Sequence, residues 1–409
     1  MNNKLHEIFL RLILTDRIGA RTALNLINAI NSKNYADYEM MFKLPSNLDV
    51  KLNKNQIQAL QIVPADFLEY LKKHNTWLNQ SDKHHFITIF DDNYPKQLLD
   101  LADAPIALYV KAKAENLPQL NQVGIAIVGS RKATHQGLDI AYSFSQQLAQ
   151  HSFPVISGLA DGIDAKAHEG AISKNQATIA VIGTGIDIIY PSKNKELAHQ
   201  AADVGCVISD FLLGEAPKPA NFPRRNRLIA ALCKGIIVVE ANLQSGSLIT
   251  AKIANELGRD VFAIPNSIYS PSSKGCHALI KQGAILLESV QDILDEWWIS
   301  TDLSNKKTIN TKIKNINNQK EINHGEKLSK LNFEEHKNHQ NNKIKLDNNL
   351  SLEQKIMQII SFNPISVDKL SELLEMPVSE IQSALFIIEM NGDIIKADGA
   401  GMYQKCRVV

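Results

Sequence analysis

Between residues 84 and 295 the chain repeats one pattern, a short apolar run without polar alternation followed by a stretch with helical spacing. Apolar runs at 86–90, 107–111, 124–128, 154–157, 178–182, 206–209, 235–240 and 260–264 read as strands. Helical spacing at 136–151, 165–173, 224–233 and 247–257 falls between them. A strand that is apolar on successive residues must be covered on both faces, and helices between such strands make the connections that parallel pairing requires. This predicts an α/β fold, a doubly wound parallel sheet.

The flanks have other textures. Residues 1–80 carry helical spacing in Leu5, Ile8, Phe9, Leu12 and Ile13, broken at Ile18-Gly19-Ala20-Arg21 and resumed at Leu24, Leu26 and Ile27. A helix–Gly turn–helix could rest on a DNA backbone through the turn's N–H groups; a small helical bundle fits the same residues. Residues 301–350 hold 12 Asn and 10 Lys with little periodicity. So polar a segment cannot bury enough surface to offset its ordering entropy, and a disordered linker is expected. Residues 351–409 pattern as helices over 352–360, 366–375 and 379–390, then two short strands over 393–396 and 402–405. That order predicts a winged helix-turn-helix. Its third helix has no Arg or Lys to read base edges, which favours protein contact there over DNA sequence readout.

With 409 residues, two or three domains are expected. Lys+Arg 44 against Asp+Glu 43 gives +1, so a grip on a polyanion must be local. Cys206, Cys233, Cys276 and Cys406 stand far apart, which argues against a zinc site or disulfide framework; no metal or cofactor is expected. The start lacks a signal-peptide profile and no apolar run approaches membrane length, so a soluble cytoplasmic protein without membrane contact is expected.

In open parallel sheets ligands bind beyond the carboxyl ends of the strands. Gly129, Ser130 and Arg131 follow the 124–128 strand: glycine admits an oxyanion to the backbone, serine donates a hydroxyl, and arginine can hold phosphate with two hydrogen bonds. A tight turn would use the same residues. Ser157 and Gly158 open Ser157-Gly-Leu-Ala-Asp-Gly-Ile-Asp164, in which Asp164 suits a helix N-cap; His168, inside the helix that follows, reads as packed or solvated rather than catalytic. Gly183-Thr184-Gly185 lacks the rest of a dinucleotide fingerprint and reads as a loop. In Asn221-Phe-Pro-Arg-Arg-Asn-Arg227, Arg224, Arg225 and Arg227 are placed in a first helical turn, against the helix dipole, which points to a bound polyanion with Asn226 among them. Phe222 could stack on a base or belong to the core. Ser245, Gly246, Ser247 and Thr250 read as an anion-binding helix start or as a capped helix. Glu240 is expected as an arginine partner, and no catalytic set assembles. Across 84–300 there are 18 Lys/Arg against 21 Asp/Glu, so the arginine cluster stands on a neutral-to-acidic background.

These residues resemble the bacterial DNA-processing protein A (DprA/Smf) family. Its hallmarks occur in order: Tyr94-Pro95, Ala104-Pro105, Ile127-Val-Gly-Ser-Arg131, Ser157 to Asp164, and Tyr190-Pro-Ser-Lys-Asn194. Asn221 to Arg227, Val238-Val-Glu-Ala241, Ser245-Gly-Ser-Leu-Ile-Thr-Ala251 and Gly258-Arg-Asp-Val-Phe-Ala-Ile-Pro265 follow. The resemblance covers about half the chain; the two outer domains fit more loosely. It implies an extended Rossmann-like domain at 84–295, an N-terminal helical domain of SAM or helix-hairpin-helix type, and a C-terminal winged helix. It also implies a non-enzymatic, homodimeric single-stranded DNA-binding protein that protects incoming DNA and loads a RecA-type recombinase in natural transformation. Gly129, Ser130 and Arg131 would lie in the DNA pocket, with Arg225, Asn226 and Arg227 along it. Three positions depart from the family pattern. Ala177 stands where a basic residue is usual, Asn266 where glycine is usual, with a left-handed turn expected to survive, and Gly275-Cys276-His277 where Gly-Thr-Asn is usual. Two rival readings stay open: a Rossmann-like nucleoside monophosphate phosphoribohydrolase, suggested by the Ser245–Thr250 loop and Glu256, and a scaffold joined to its partner by the winged helix.

Overall fold

The structure, a computed structural model, describes residues 2–30, 35–304, 351–360, 365–374, 376–390, 394–396 and 402–405. They fall into two compact units, Met1–Ser304 and Asn305–Val409.

The first unit is built on nine strands: β1 (His84–Thr88), β2 (Ala107–Lys111), β3 (Gly124–Val128), β4 (Val155–Ser157), β5 (Thr178–Val181), β6 (Cys206–Ser209), β7 (Cys233–Val238), β8 (Asp260–Ala263) and β9 (Ile285–Leu286). Their order in the sheet is β1-β2-β6-β5-β4-β3-β7-β8-β9. From β6 across to β9 every pairing is parallel, whereas β1 and β2 join antiparallel at the β6 edge. The expected doubly wound sheet is therefore mostly parallel. A hairpin-like pair covers one edge, and the two-residue β9, too short to leave a sequence pattern, forms the other.

Helices α1 (Asn2–Leu14), α2 (Ala20–Ile30), α3 (Met40–Lys43), α4 (Lys54–Gln61) and α5 (Phe67–Leu78) precede the sheet. Helices α6 (His135–Gln150), α7 (Ile163–Ser173), α8 (Lys195–Val204), α9 (Asn221–Leu232), α10 (Gly246–Glu256), α11 (Lys274–Lys281) and α12 (Val290–Ser304) alternate with it or follow it. The pleat explains the unbroken apolar strands. In β3, Ala126 and Val128 join the core under α9 and α10, while Ile125 and Ile127 join the core under α6 and α7. Each fully buried Ile or Val on such a strand contributes roughly 1.5–3 kcal/mol. No boundary separates the first helices from the sheet: Phe9, Leu12, Ile27 and Trp77 share one cluster with Phe86, Tyr109, Ala180 and Val207. Helix α12 also runs through residues 301–304, where a linker was expected, and residues 305–350 lie outside the described residues.

The second unit contains α13 (Leu352–Ile359), β10 (Ile365–Ser366), α14 (Val367–Leu374), α15 (Val378–Met390), β11 (Ile394–Lys396) and β12 (Met402–Lys405), with sheet order β10-β12-β11. Ser351 and Gln354 form a capping box at α13. Ile356, Leu370, Ile381, Leu385 and Tyr403 fill a small core. This is the winged helix expected from the sequence. The turns expected at Asn391-Gly392 and at 398–401 lie outside the described residues. Among the described residues no helix is long and apolar enough to cross a membrane, and Cys206, Cys233 and Cys276 are buried free thiols.

In the first unit, His168 of α7 is wholly buried. Thr178 Oγ1 donates to the Val155 carbonyl at 2.8 Å, so its contact with His168 Nδ1 at 2.7 Å requires Nδ1 to carry the hydrogen. Burial lowers the imidazole pKa from 6.5 to about 3, and the Arg225 charge adds to the shift. The unfolded chain therefore binds this proton at higher pH than the folded one. The stability it represents is complete above pH 6.5 and is lost as pH falls toward 3. Between pH 7 and pH 5 this one group should cost about 2 kcal/mol. Urea unfolding of the parent and of His168→Gln at the two pH values should show the variant losing less by about that amount.

Candidate functional site

Strands β3 and β7 are neighbours, yet the chain leaves β3 through α6 toward β4 and leaves β7 through α10 toward β8. The diverging connections open a crevice at the carboxyl ends of the two strands. A hollow of about 410 Å³ fills it, edged by Gly129 to Lys132, Asp164, Arg225, Asn226, Asn242 and the Ser245–Thr250 start of α10. A second hollow of about 560 Å³ shares Arg131, Arg225, Asn226 and Gly246 with the first and runs on to Tyr190, Phe222 and Ile249. Together they make one trough, whose lining holds three cations, Arg131, Lys132 and Arg225, against one carboxylate, Asp164.

Arg225 forms the floor. It is buried, and its Nη1 donates to the carbonyls of Gly158 and Val181, just beyond β4 and at the end of β5. Burial lowers its pKa to about 10 against the pull of Asp164, and the nearby Arg131 charge lowers it further. Burial likewise raises the Asp164 carboxyl, while the Arg225 charge and the N–H groups of Ala160 and Gly158 draw it back. The loop around them has room only for glycine at two points. A side chain on Gly158 would overlap the Arg225 guanidinium and the Asp164 carboxylate. Gly162 has φ +76°, and a Cβ there would run into the Ser130 carbonyl.

Arg131 is the opposite case, exposed and without an acidic partner among the described residues. Its guanidinium lies 5.2 Å from the centre of the Phe222 ring, and the half-exposed Tyr190 ring is 5.8 Å beyond. Opposite them α10 presents its N-terminus. Ser245 caps it, accepting from Ser247 N at 3.4 Å with the two hydroxyls 2.7 Å apart, and the Gly246 Cα faces open space. The trough thus offers a free guanidinium, an aromatic wall and a helix N-terminus, a set suited to phosphate and base together.

Several expected positions lie elsewhere. Helix α9 begins at Asn221, so its arginines stand in the fourth, fifth and seventh positions and not all in the first turn. Only Arg225 turns into the trough. Arg227 is bound to Asp210 at 2.8 Å and Asp103 at 3.1 Å, and Arg224 reaches Asp210 at 3.4 Å over the Phe211 ring, both beside a different cleft next to Gly19. Glu240 is not an arginine partner: it accepts from the N–H and hydroxyl of Thr134, the cap of α6. Asp164 is not a cap, since Gly162 holds that position; Asp164 accepts from Gly158 N at 3.1 Å. Ser157 is buried and donates to the Ile127 carbonyl at 2.6 Å, tying β4 to β3. Thr250 donates to the Gly246 carbonyl at 3.3 Å, within its own helix.

The departures also resolve. Ala177 precedes β5, at the sheet end away from the trough. Asn266 is not left-handed; its side chain accepts from Ser267 N, and its carbonyl is 3.0 Å from His277 Nε2, so the two departures bond each other. Glu256 ends α10, about 15 Å along the helix from Gly246 and about 9 Å from Thr250, the last residue of the helix that lines the first hollow. Tyr190 and Lys132 also line the trough; the signals for them are the Tyr190-Pro191 motif and the place of Lys132 directly after Arg131.

Residues 85–298 match the family model described as DNA recombination-mediator protein A, and residues 346–400 match the DprA winged helix domain. The chain is similar to DNA processing protein DprA of Streptococcus pneumoniae, 44% identical over 236 residues covering 57% of this chain and 82% of that one. It is equally similar to protein Smf of Escherichia coli, 44% identical over 220 residues, 54% of this chain and 58% of that one. A solved structure of the Streptococcus pneumoniae protein aligns with TM-score 0.57 and 37% identity, over 72% of this chain and 98% of that one.

The contrast between buried and exposed arginines has a thermodynamic consequence. Asp210→Ala removes the inner carboxylate from Arg227 and should cost about 3–5 kcal/mol in urea unfolding. Arg131→Ala should stay within about 0.5 kcal/mol of the parent.

Proposed function

The chain belongs to the DNA recombination-mediator protein A family, and from that premise we propose that the trough binds single-stranded DNA. The observation that carries the reading is Arg131, a guanidinium free of carboxylates and laid over Phe222 at the mouth of the crevice. Exposed rings can stack only on bases that are not already paired and stacked, which selects a single strand over a duplex. Cations and hydroxyls make up most of the polar lining, with Asn226 and Asn242 as its amides, so binding should tolerate sequence and weaken with salt.

In this reading Gly129, Ser130 and Arg131 hold a phosphate against the β3 turn, and Ser245, Gly246 and Ser247 approach it from the α10 side. Phe222 and Tyr190 carry a base. Arg225 shapes the floor and adds charge, with Gly158 beneath it, while Arg224 and Arg227 fix α9 in place. The protein then acts as a non-enzymatic, cytoplasmic homodimer that shields incoming strands and passes them to a RecA-type recombinase. The hydrolase alternative is weakened by the place of Glu256, at the far end of α10 from the residues that line the trough. The winged helix serves protein contact in this scheme, since α15 carries no Arg or Lys.

The test is fluorescence anisotropy with labelled oligo-dT and a matched duplex. The single strand should bind more tightly. Arg131→Ala should weaken it about tenfold and lower the slope of log K against log salt by about one. Phe222→Ala should cost about 1–3 kcal/mol of binding. Parent-like affinity in both variants would refute the assignment.

A further inference from the structure

The segment after β8 is built differently from an ordinary connection. Ile268 and Tyr269 stand at its tip, 72% and 88% exposed, and an aromatic ring left this open in water has no folding role of its own. Yet the loop is firmly held. Ser273, itself buried, donates to the carbonyls of Ser267 and Ser270 at 2.6 and 2.7 Å. Tyr269 N donates to Ser267 Oγ at 3.3 Å, and His277 Nε2 lies 3.0 Å from the Asn266 carbonyl. Hydrogen bonds from Ala241 N to Ser272 O and from Gly275 N to Ala241 O, both 2.7 Å, anchor it to the chain leaving β7. The next residue, Asn242, lines the crevice. From Ile264 to Ser273 there is no acidic residue, and Lys274 follows.

We infer that Ile268 and Tyr269 form a second stacking platform, taking a base of the same single strand as it leaves the crevice on the β8 side. This rests on the reading of the trough as a single-strand site and extends it. Strands in a sheet are about 4.8 Å apart, so the end of β8 lies about 10 Å from the end of β3 along the same edge. The exposed Leu243 lies on the connection after β7, between the two. Tyr190 and Phe222 line the second hollow, and Tyr269 lies in the segment that follows β8, on the β7 side of the crevice in the strand order. A strand crossing the sheet edge then meets rings at both ends and cations in the middle. The occupant is nucleic acid because the loop is tied down by hydrogen bonds, free of negative charge and continuous with the crevice through Ala241 and Asn242.

The experiment uses the full chain and labelled oligo-dT of about 6 and about 15 nucleotides. Tyr269→Ala should lower affinity for the longer strand about five- to tenfold and leave the shorter one nearly unchanged, while Tyr269→Phe restores parent affinity. Equal affinity of Tyr269→Ala and parent for the longer strand, with Arg131→Ala still weakened, overturns the platform and leaves the crevice standing. If Arg131→Ala is also without effect, the crevice reading fails and the platform falls with it. Sedimentation velocity without DNA separates out the remaining occupant. A Tyr269→Ala variant that loses a dimer while keeping parent affinity for both strands assigns the tip to a second copy of the chain and overturns the inference.

Discussion

The crevice exists because one guanidinium is buried where strands end. Arg225 reaches from α9 to the carbonyls beyond β4 and at the end of β5, with Asp164 close by across Gly158. Strand ends in a parallel sheet carry carbonyls that the next residues cannot always satisfy, and an unpaired buried carbonyl is costly. A planar donor group meets both at once, which a lysine ammonium on a flexible stem would do less well. The same bonds fix the start of α9, and with it Phe222 and Asn226. The shape of the trough therefore depends on a residue that sits mostly beneath it.

Much of the fold was open to reading from the residues alone. The apolar strands of the parallel sheet are continuous because both faces are covered, as the two cores meeting across β3 demonstrate. Edge elements were harder. The antiparallel pairing of β1 with β2 leaves no mark in two short apolar runs, and β9 has only two residues. The first helices looked like a separate domain because their spacing is self-contained. The cluster joining Trp77 to Phe86 and Tyr109 depends on which face each helix presents to the sheet.

The arginine cluster shows where sequence reasoning stops. Three arginines within four residues suggest a single positive edge, but a helix turns about 100° per residue and spreads neighbours around its axis. Arg225 thus points to the strand ends, while Arg224 and Arg227 point to Asp210, whose carboxylate is buried. Asp210 lies 14 residues before Arg224, and no local spacing announces the pairing. Glu240 is a parallel case. It ends an apolar run near the arginines, yet it satisfies the Thr134 cap on the other side of the sheet edge. Arg131, by contrast, has no ion pair among the described residues, and the role proposed for it comes from that freedom rather than from its motif.

Burial and exposure divide the electrostatic roles between the two trough arginines. A buried arginine held by carbonyls cannot move toward a phosphate without abandoning them, so Arg225 supplies field and shape in place of a flexible contact. Arg131 is free to move but not unguided, because the Phe222 face holds its guanidinium over the crevice at little entropic cost. Under the proposed function, a base stacking on Phe222 would displace the guanidinium, and the phosphate attached to that base would be the anion closest to receive it. The aromatic ring and the cation are in that sense one device. In the proposed single-strand reading, the ring would hold the charge in the empty crevice and release it to the strand whose base takes its place.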